Sequence, residues 1–71
     1  MTRYAVIIER GPTSFGAYVP DLAGCVAVGE TLPEVERLIR EAIVFHIEGL
    51  REDGVPVPPA TSRAEYVEAP A

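Results

Sequence analysis

His46, the only histidine of the chain, is the first residue whose chemistry could serve catalysis or metal binding. It falls near the middle of an apolar helix face, between Ile39, Ala42 and Leu50 in the helical pattern. A general base needs access to its substrate, and a helix face that packs on a sheet gives none. We therefore predict a neutral, buried core histidine without a bound metal.

Cys25 is the only cysteine, so the chain cannot form an internal disulfide. A reactive thiol needs a nearby cation or a helix N-terminus to lower its pKa, but Gly24 and Val26 flank Cys25. We interpret Cys25 as a small buried strand residue rather than a nucleophile. One cysteine and one histidine cannot supply the usual four ligands of a structural zinc site, and we expect no metal or other cofactor.

Asp21 is the third candidate, since it could join Glu9 or Glu30 in a carboxylate cluster for a divalent metal. Aspartate after proline in a turn more often bonds the backbone two residues on, and we favour that local role. The glycines do not form a phosphate-binding loop, because no strand–glycine loop–helix spacing occurs. With no recognisable catalytic motif, we expect a protein that is not an enzyme.

The charge balance favours a protein partner over nucleic acid. Six basic residues stand against eleven acidic ones, which gives a net charge of −5. The basic residues are all arginines and form no basic run: Arg3, Arg10, Arg37, Arg40, Arg51 and Arg63. Direct nucleic-acid binding is therefore disfavoured. An acidic surface favours basic partners, such as proteins that bind nucleic acid, or it serves only to keep the protein soluble.

The first thirty residues predict a small antiparallel sheet. Residues 3–9 are rich in β-branched and aromatic side chains and precede Gly11-Pro12, which predicts a strand and a short loop. Residues 15–19 and 25–28 are predicted as the second and third strands, separated by a turn that contains proline and aspartate.

A helix is the best-defined element of the sequence. Thr31 and Glu34 form the capping box Thr-Leu-Pro-Glu, which predicts the start of the helix. Asp53-Gly54 predicts its C-terminal end, with Gly54 in the left-handed backbone conformation. Apolar residues and the histidine recur at helical spacing on one face: Val35, Leu38, Ile39, Ala42, Ile43, His46, Ile47 and Leu50.

After the helix, three prolines among residues 56–59 prevent the helix from resuming. Residues 63–67 then form either a short fourth strand or a tail. We expect one α+β domain over residues 1–71, a small antiparallel sheet with a single helix packed on one face. The apolar N-terminal run is too short to cross a membrane, no signal peptide is apparent, and a free cysteine suits a reducing compartment, so we expect a cytoplasmic protein.

Self-association is expected from the size of the chain and from its first strand. Seventy-one residues lie near the lower limit for independent folding, and neither a disulfide nor a metal is available as a staple. Both faces of the first strand are apolar, whereas one helix covers only one face of a sheet. A symmetric dimer would cover the second face, by pairing of two sheets or by edge-to-edge addition of the last strand around Tyr66.

One segment resembles the hallmark of a known family. Residues 18–25, Tyr-Val-Pro-Asp-Leu-Ala-Gly-Cys, resemble the Pro-Asp-Leu-x-Gly-Cys element of the HicB family. Gly-Glu-Thr at residues 29–31 and the helix start follow at the right distance. Residues 46–58, His-Ile-Glu-Gly-Leu-Arg-Glu-Asp-Gly-Val-Pro-Val-Pro, resemble the family segment between helix and last strand.

The resemblance to HicB antitoxins implies a partial ribonuclease-H-like fold with β-β-β-α-β order and no nuclease activity. It also implies that the chain binds and neutralises a HicA-like toxin, a small basic protein that cleaves messenger RNA, and the acidic charge fits that pairing. Many HicB proteins carry a C-terminal DNA-binding domain. The sequence ends about a dozen residues after Pro59, so we expect no such domain, which leaves autoregulation by direct DNA binding without support from the resemblance.

Two alternatives to an antitoxin remain. The chain could be an orphan HicB-like interaction module without a toxin partner. It could also be a small enzyme or metal protein that uses His46, Cys25 and Asp21. An adjacent gene for a small basic protein would favour the antitoxin.

Overall fold

The computed structural model describes residues 2–70 of the chain and shows a three-stranded sheet followed by one helix. The strands are β1 (Ile7–Arg10), β2 (Phe15–Tyr18) and β3 (Val26–Gly29), and the helix is α1 (Leu32–Glu52). The strand order is β1-β2-β3, and both neighbouring pairs are antiparallel. The predicted α+β architecture with one helix is confirmed.

The strand register decides which side chains face the helix. Ile8 pairs with Ala17, and Ala17 pairs with Ala27. These three side chains lie on the helix side, where Ala17 is buried and the other two pack against the core. β1 begins at Ile7 rather than at residue 3, because its partner β2 ends at Tyr18, directly opposite Ile7. Residues 2–6 therefore have no strand partner from β2.

The core lies between the sheet, the turn after β2 and the first half of the helix. Six side chains are buried there: Ala17, Val19, Leu22, Cys25, Val35 and Ile39. Leu22 of the Pro-Asp-Leu-x-Gly-Cys element and Val35 of the helix are the most deeply buried large side chains. The Pro-Asp-Leu-x-Gly-Cys element therefore supplies core side chains next to the end of β2.

Helix α1 is closed at both ends as its sequence predicts. The Thr31 hydroxyl accepts the backbone N–H of Glu34 at 3.2 Å, as the capping box predicts. The Glu34 carboxylate accepts the N–H of Glu30 at 3.2 Å, so the return bond is made one residue before the N-cap residue Thr31 that the capping box predicts. At the other end Gly54 has a φ of +67°. Its N–H bonds the carbonyl of Arg51, and Val55 bonds that of Leu50. This is the Schellman pattern, which satisfies the last free carbonyls of a helix.

The helix is longer than the sheet that supports it. Its 21 residues span about 31 Å, whereas a four-residue strand spans about 13 Å. Among helix residues only Val35 and Ile39 are buried, and both belong to its first half. His46 lies on the same helix face but is only half-buried. The prediction of a buried His46 is therefore wrong, because the sheet does not reach its turn of the helix.

The chain returns along the molecule after the helix without forming a strand. The Tyr4 hydroxyl donates a 2.6 Å hydrogen bond to the carbonyl of Pro58. Residues 63–66 then lie beside residues 6–8, with an open groove between the two segments. The fourth strand considered for residues 63–67 is not formed, since no backbone hydrogen bond joins those residues to β1. The alternative, a tail without secondary structure, describes this segment.

Candidate protein-interaction surfaces

Cys25 is buried in the core, directly before β3. Its N–H donates to the carbonyl of Leu22 at 3.1 Å, and its carbonyl accepts the N–H of Val19 at 3.2 Å. Burial raises the pKa of the Cys25 thiol, which keeps the sulfur protonated and weakly nucleophilic. The prediction that Cys25 is small and buried is confirmed, but the predicted strand position is wrong by one residue, because β3 begins at Val26.

Asp21 fastens the C-terminal segment to the turn after β2. One carboxylate oxygen accepts the backbone N–H groups of Thr61 and Ser62, each at 2.8 Å. The other accepts their hydroxyls, at 3.2 Å from Thr61 and 2.7 Å from Ser62. The bonds from Ser62, followed by those from Thr61, lower the pKa of the Asp21 carboxyl. We call these contacts the Asp21 clamp.

The clamp differs from the local role expected for Asp21. The bonded residues lie 40 and 41 positions away, not two residues on. A Thr-Ser pair after a proline-rich segment supplies suitable donors, but local sequence cannot tell which acceptor will lie opposite them. Within residues 2–70 no group of three or more His, Cys, Asp or Glu side chains is arranged to hold a metal ion.

The face of the sheet that points away from the helix carries apolar side chains. Pairing places Ile7, Tyr18 and Val26 in one row across the three strands. Tyr18 is 41% exposed and Val26 62%, and Val28 on the same face is 67% exposed. We call these four side chains the open sheet face. Such a patch on a protein this small is typical of an interaction surface.

Two exposed apolar side chains lie on different sides of the helix. Phe45 is 79% exposed and the adjacent Val44 is 57% exposed. The exposure of Val44 agrees with its predicted position outside the apolar helix face. Phe45 was not singled out by the sequence analysis, although a helical wheel places it beside Leu38 at the edge of that face. A helical-wheel reading of the edge residues would have found it.

The two described ion pairs are exposed and hold little of the structure together. On one helix face a guanidinium nitrogen of Arg37 lies 3.2 Å from a carboxylate oxygen of Glu41. On the tail a guanidinium nitrogen of Arg63 lies 3.2 Å from a carboxylate oxygen of Glu65. Exposed pairs of this kind contribute about 0–1 kcal/mol. Because only Glu41 and Glu65 take part in these two pairs, most acidic side chains stay available to a partner.

In the part of the chain that the structure describes, no helix is long and apolar enough to cross a membrane.

Comparison with known proteins gives the family. Residues 4–71 match the family described as HicB-like antitoxin of bacterial toxin–antitoxin systems. A 14.9 kDa uncharacterised protein from the rep–hol intergenic region of Haemophilus phage HP1 is 37% identical over 67 residues. That match covers 94% of this chain and 50% of the phage protein. A UPF0150 protein of Helicobacter pylori is 38% identical over 47 residues, which cover 66% of this chain and 65% of that protein.

Among solved structures, the fold resembles a chain of the HicA3 and HicB3 toxin–antitoxin complex. The TM-score is 0.72 at 33% identity, over 83% of this chain and 70% of that chain. In the sequence comparisons, this chain spans about half the length of the phage protein and about two thirds of the length of the Helicobacter protein. The family match spans nearly the whole sequence, and the fold agrees with it. The chain belongs to the HicB-like antitoxin family of bacterial toxin–antitoxin systems.

Proposed function

We propose that this chain neutralises a HicA-like toxin, a small basic protein that cleaves messenger RNA, by binding to it directly. One observation carries the proposal: the similar solved chain, at 33% identity and a TM-score of 0.72, belongs to a complex of toxin and antitoxin. The net charge of −5 supports the same pairing, because opposite charges steer two proteins toward each other. We place the pairing in the cytoplasm, where the toxin would meet messenger RNA.

The proposed action is occlusion rather than catalysis. Cys25 is buried with a raised pKa, and the Asp21 carboxylate is occupied by four hydrogen bonds. Neither arrangement resembles a nucleophile or a metal ligand ready for substrate. The exposed apolar side chains of the sheet and the helix instead suit protein contacts.

We also propose that the chain forms a symmetric dimer through the open sheet face. The row of Ile7, Tyr18 and Val26 carries no charge, and the neighbouring row of Glu9, Gly16 and Val28 carries one carboxylate at its β1 end, so two copies can meet over the uncharged row. A two-fold axis would bury Tyr18 and Val26 of both copies at once. This pairing would provide the additional burial that so small a domain needs.

Inhibition of the toxin is the direct test of the proposed function. The partner to test is a HicA-like protein encoded beside the gene of the chain, and the absence of such a gene would itself favour an orphan interaction module. RNA cleavage by the purified HicA-like protein is measured as the chain is added. We expect cleavage to stop at a stoichiometric ratio, and association to slow as salt rises. Full cleavage in the presence of excess folded chain would refute the antitoxin function for that pair and favour an orphan interaction module.

A further inference from the structure

Phe45 stands out among the exposed apolar side chains because its backbone is fixed. It lies inside a helix that is capped at both ends, yet 79% of the residue is exposed. Aromatic side chains supply much of the binding energy when an interface buries them, since each buries a large area at a low cost in rotamer freedom. A fixed, exposed phenylalanine therefore suits an anchor for a partner.

The space beside Phe45 is open. Residues three and four positions away are its neighbours on a helix surface, and Gly49 occupies one of these positions. A Cβ built on Gly49 has no heavy atom within 4 Å. A group from a partner can therefore reach the helix backbone at Gly49 and cover the phenylalanine ring from that side.

The charges around Phe45 are negative. Glu41 lies four residues before it and Glu48 three residues after it, and Glu52 follows one turn later. All three are exposed. Glu41 is paired with Arg37 at 3.2 Å, an exposed pair that a partner can replace at little cost. We call Phe45, Gly49 and these three glutamates the Phe45 ridge.

The charge pattern selects one occupant for this ridge. If two copies met there about a two-fold axis, the ridge of one would bring its glutamates to the glutamates of the other, which opposes association. The open sheet face is the better surface for a second copy, because one of its two rows is uncharged and the other carries the single carboxylate of Glu9. A partner with lysines or arginines around an apolar socket would complement both the ring and the carboxylates.

We propose that the Phe45 ridge is the surface that binds the toxin, with Phe45 inserted into an apolar socket bordered by basic side chains. The proposal rests on the proposed function and names the part of this chain that carries it. The glutamates steer and orient the basic partner, and the ring supplies the buried anchor.

Val44 provides a matched control for Phe45. It is the adjacent residue, apolar and 57% exposed, but it points to a different side of the helix. There it lines a groove with Tyr4, Val57 and Glu48, so Glu48 lies between this groove and the Phe45 ring. Arg40 lies one turn before Val44. Alanine at either position shortens an exposed side chain without removing a core contact.

Calorimetry at two salt concentrations measures the dissociation constant of the complex between the chain and the HicA-like protein encoded beside its gene. That protein is used as a catalytically inactive variant. We expect Phe45→Ala to weaken binding at least about tenfold, and Val44→Ala less than about twofold. Glu48→Gln combined with Glu52→Gln should weaken binding at low salt and flatten its salt dependence. Circular dichroism confirms that each variant is folded.

The two proposals fail in different ways. No binding by the unmodified chain would reject the toxin partner itself. Full binding by Phe45→Ala would leave the partner in place and overturn the ridge as its site. Sedimentation of Phe45→Ala in the absence of toxin gives a further check, because the variant should self-associate as the unmodified chain does. Loss of self-association in this variant would instead assign the ridge to a second copy.

Discussion

The carboxylate of Asp21 accepts two hydrogen bonds from Ser62, one from the backbone N–H at 2.8 Å and one from the hydroxyl at 2.7 Å. The two residues are 41 positions apart. The contact joins the Pro-Asp-Leu-x-Gly-Cys turn to the segment that follows the helix. Asp21 therefore holds a segment that is distant in the sequence, in addition to its place in the turn.

Replacement of Asp21 by asparagine should release the C-terminal segment. The amide oxygen can still accept the N–H groups of Thr61 and Ser62, but the amide carries no charge and its NH2 group cannot accept the two hydroxyl hydrogens, so the charge-assisted bonds of the carboxylate are lost. Hydrogen exchange of residues 61–66 should become faster in Asp21→Asn, while the core around Leu22 stays protected. Unchanged exchange in residues 61–66 would show that the clamp does not hold the segment.

Acid should open the same clamp. The hydrogen bonds from Ser62 and Thr61 lower the pKa of Asp21 from its usual value of 3.8. The ionised carboxylate therefore stabilises the closed segment above pH 3.8, and this contribution is lost as the pH falls below 3.8 through the lowered pKa. NMR shifts of Thr61 and Ser62 should follow this titration. In Asp21→Asn they should show no step at that pH.

The helix face can be tested by truncation. Ile39 is 3% exposed, so Ile39→Ala should reduce the free energy of unfolding by about 2–5 kcal/mol. The sequence predicts the same loss at Leu38, but Leu38 is only half-buried, and we expect a smaller effect there. Val44→Ala should cost less than about 1 kcal/mol. Urea denaturation measures all three, and equal losses at Ile39 and Val44 would contradict the assigned face.

Gly29 should be intolerant of any side chain. A Cβ at this position would lie 2.8 Å from the backbone nitrogen of Val35 and 3.0 Å from its Cα. Because those atoms belong to the helix backbone, the helix must shift, and Gly29→Ala should cost about 1–3 kcal/mol. Gly16→Ala is the control, since a Cβ there meets nothing within 4 Å. Its thermal midpoint should stay equal or rise slightly.

The open sheet face should control self-association. Val26→Lys places a charge at the β3 end of the uncharged row, directly beside Tyr18, so two copies could no longer bury this row without a large desolvation penalty. Sedimentation equilibrium at micromolar concentration should give a dimer for the unmodified chain and a monomer for Val26→Lys. Val44→Lys, on the exposed helix surface, should remain a dimer. A monomeric, soluble unmodified chain would disprove the dimer.

Local features of this fold could be predicted from the sequence, and features that depend on distant parts could not. Thr31, Glu34 and Gly54 act within a few residues of their own positions, so the helix ends follow from the sequence. The half-exposure of His46 depends on the length of the helix relative to the strands. The partner of Asp21 depends on where a segment 40 residues later returns. Neither relation leaves a signal in a short stretch of sequence.

The hydrogen bond between the Tyr4 hydroxyl and the Pro58 carbonyl also has a consequence for how the protein is made. It joins residues 54 positions apart, and such contacts form late because a long loop must close first. The hairpins and the helix involve neighbouring residues and can form earlier. During synthesis Tyr4 emerges from the ribosome well before Pro58, which lies 54 positions later. The N-terminal segment therefore lacks this contact until the segment after the helix has emerged.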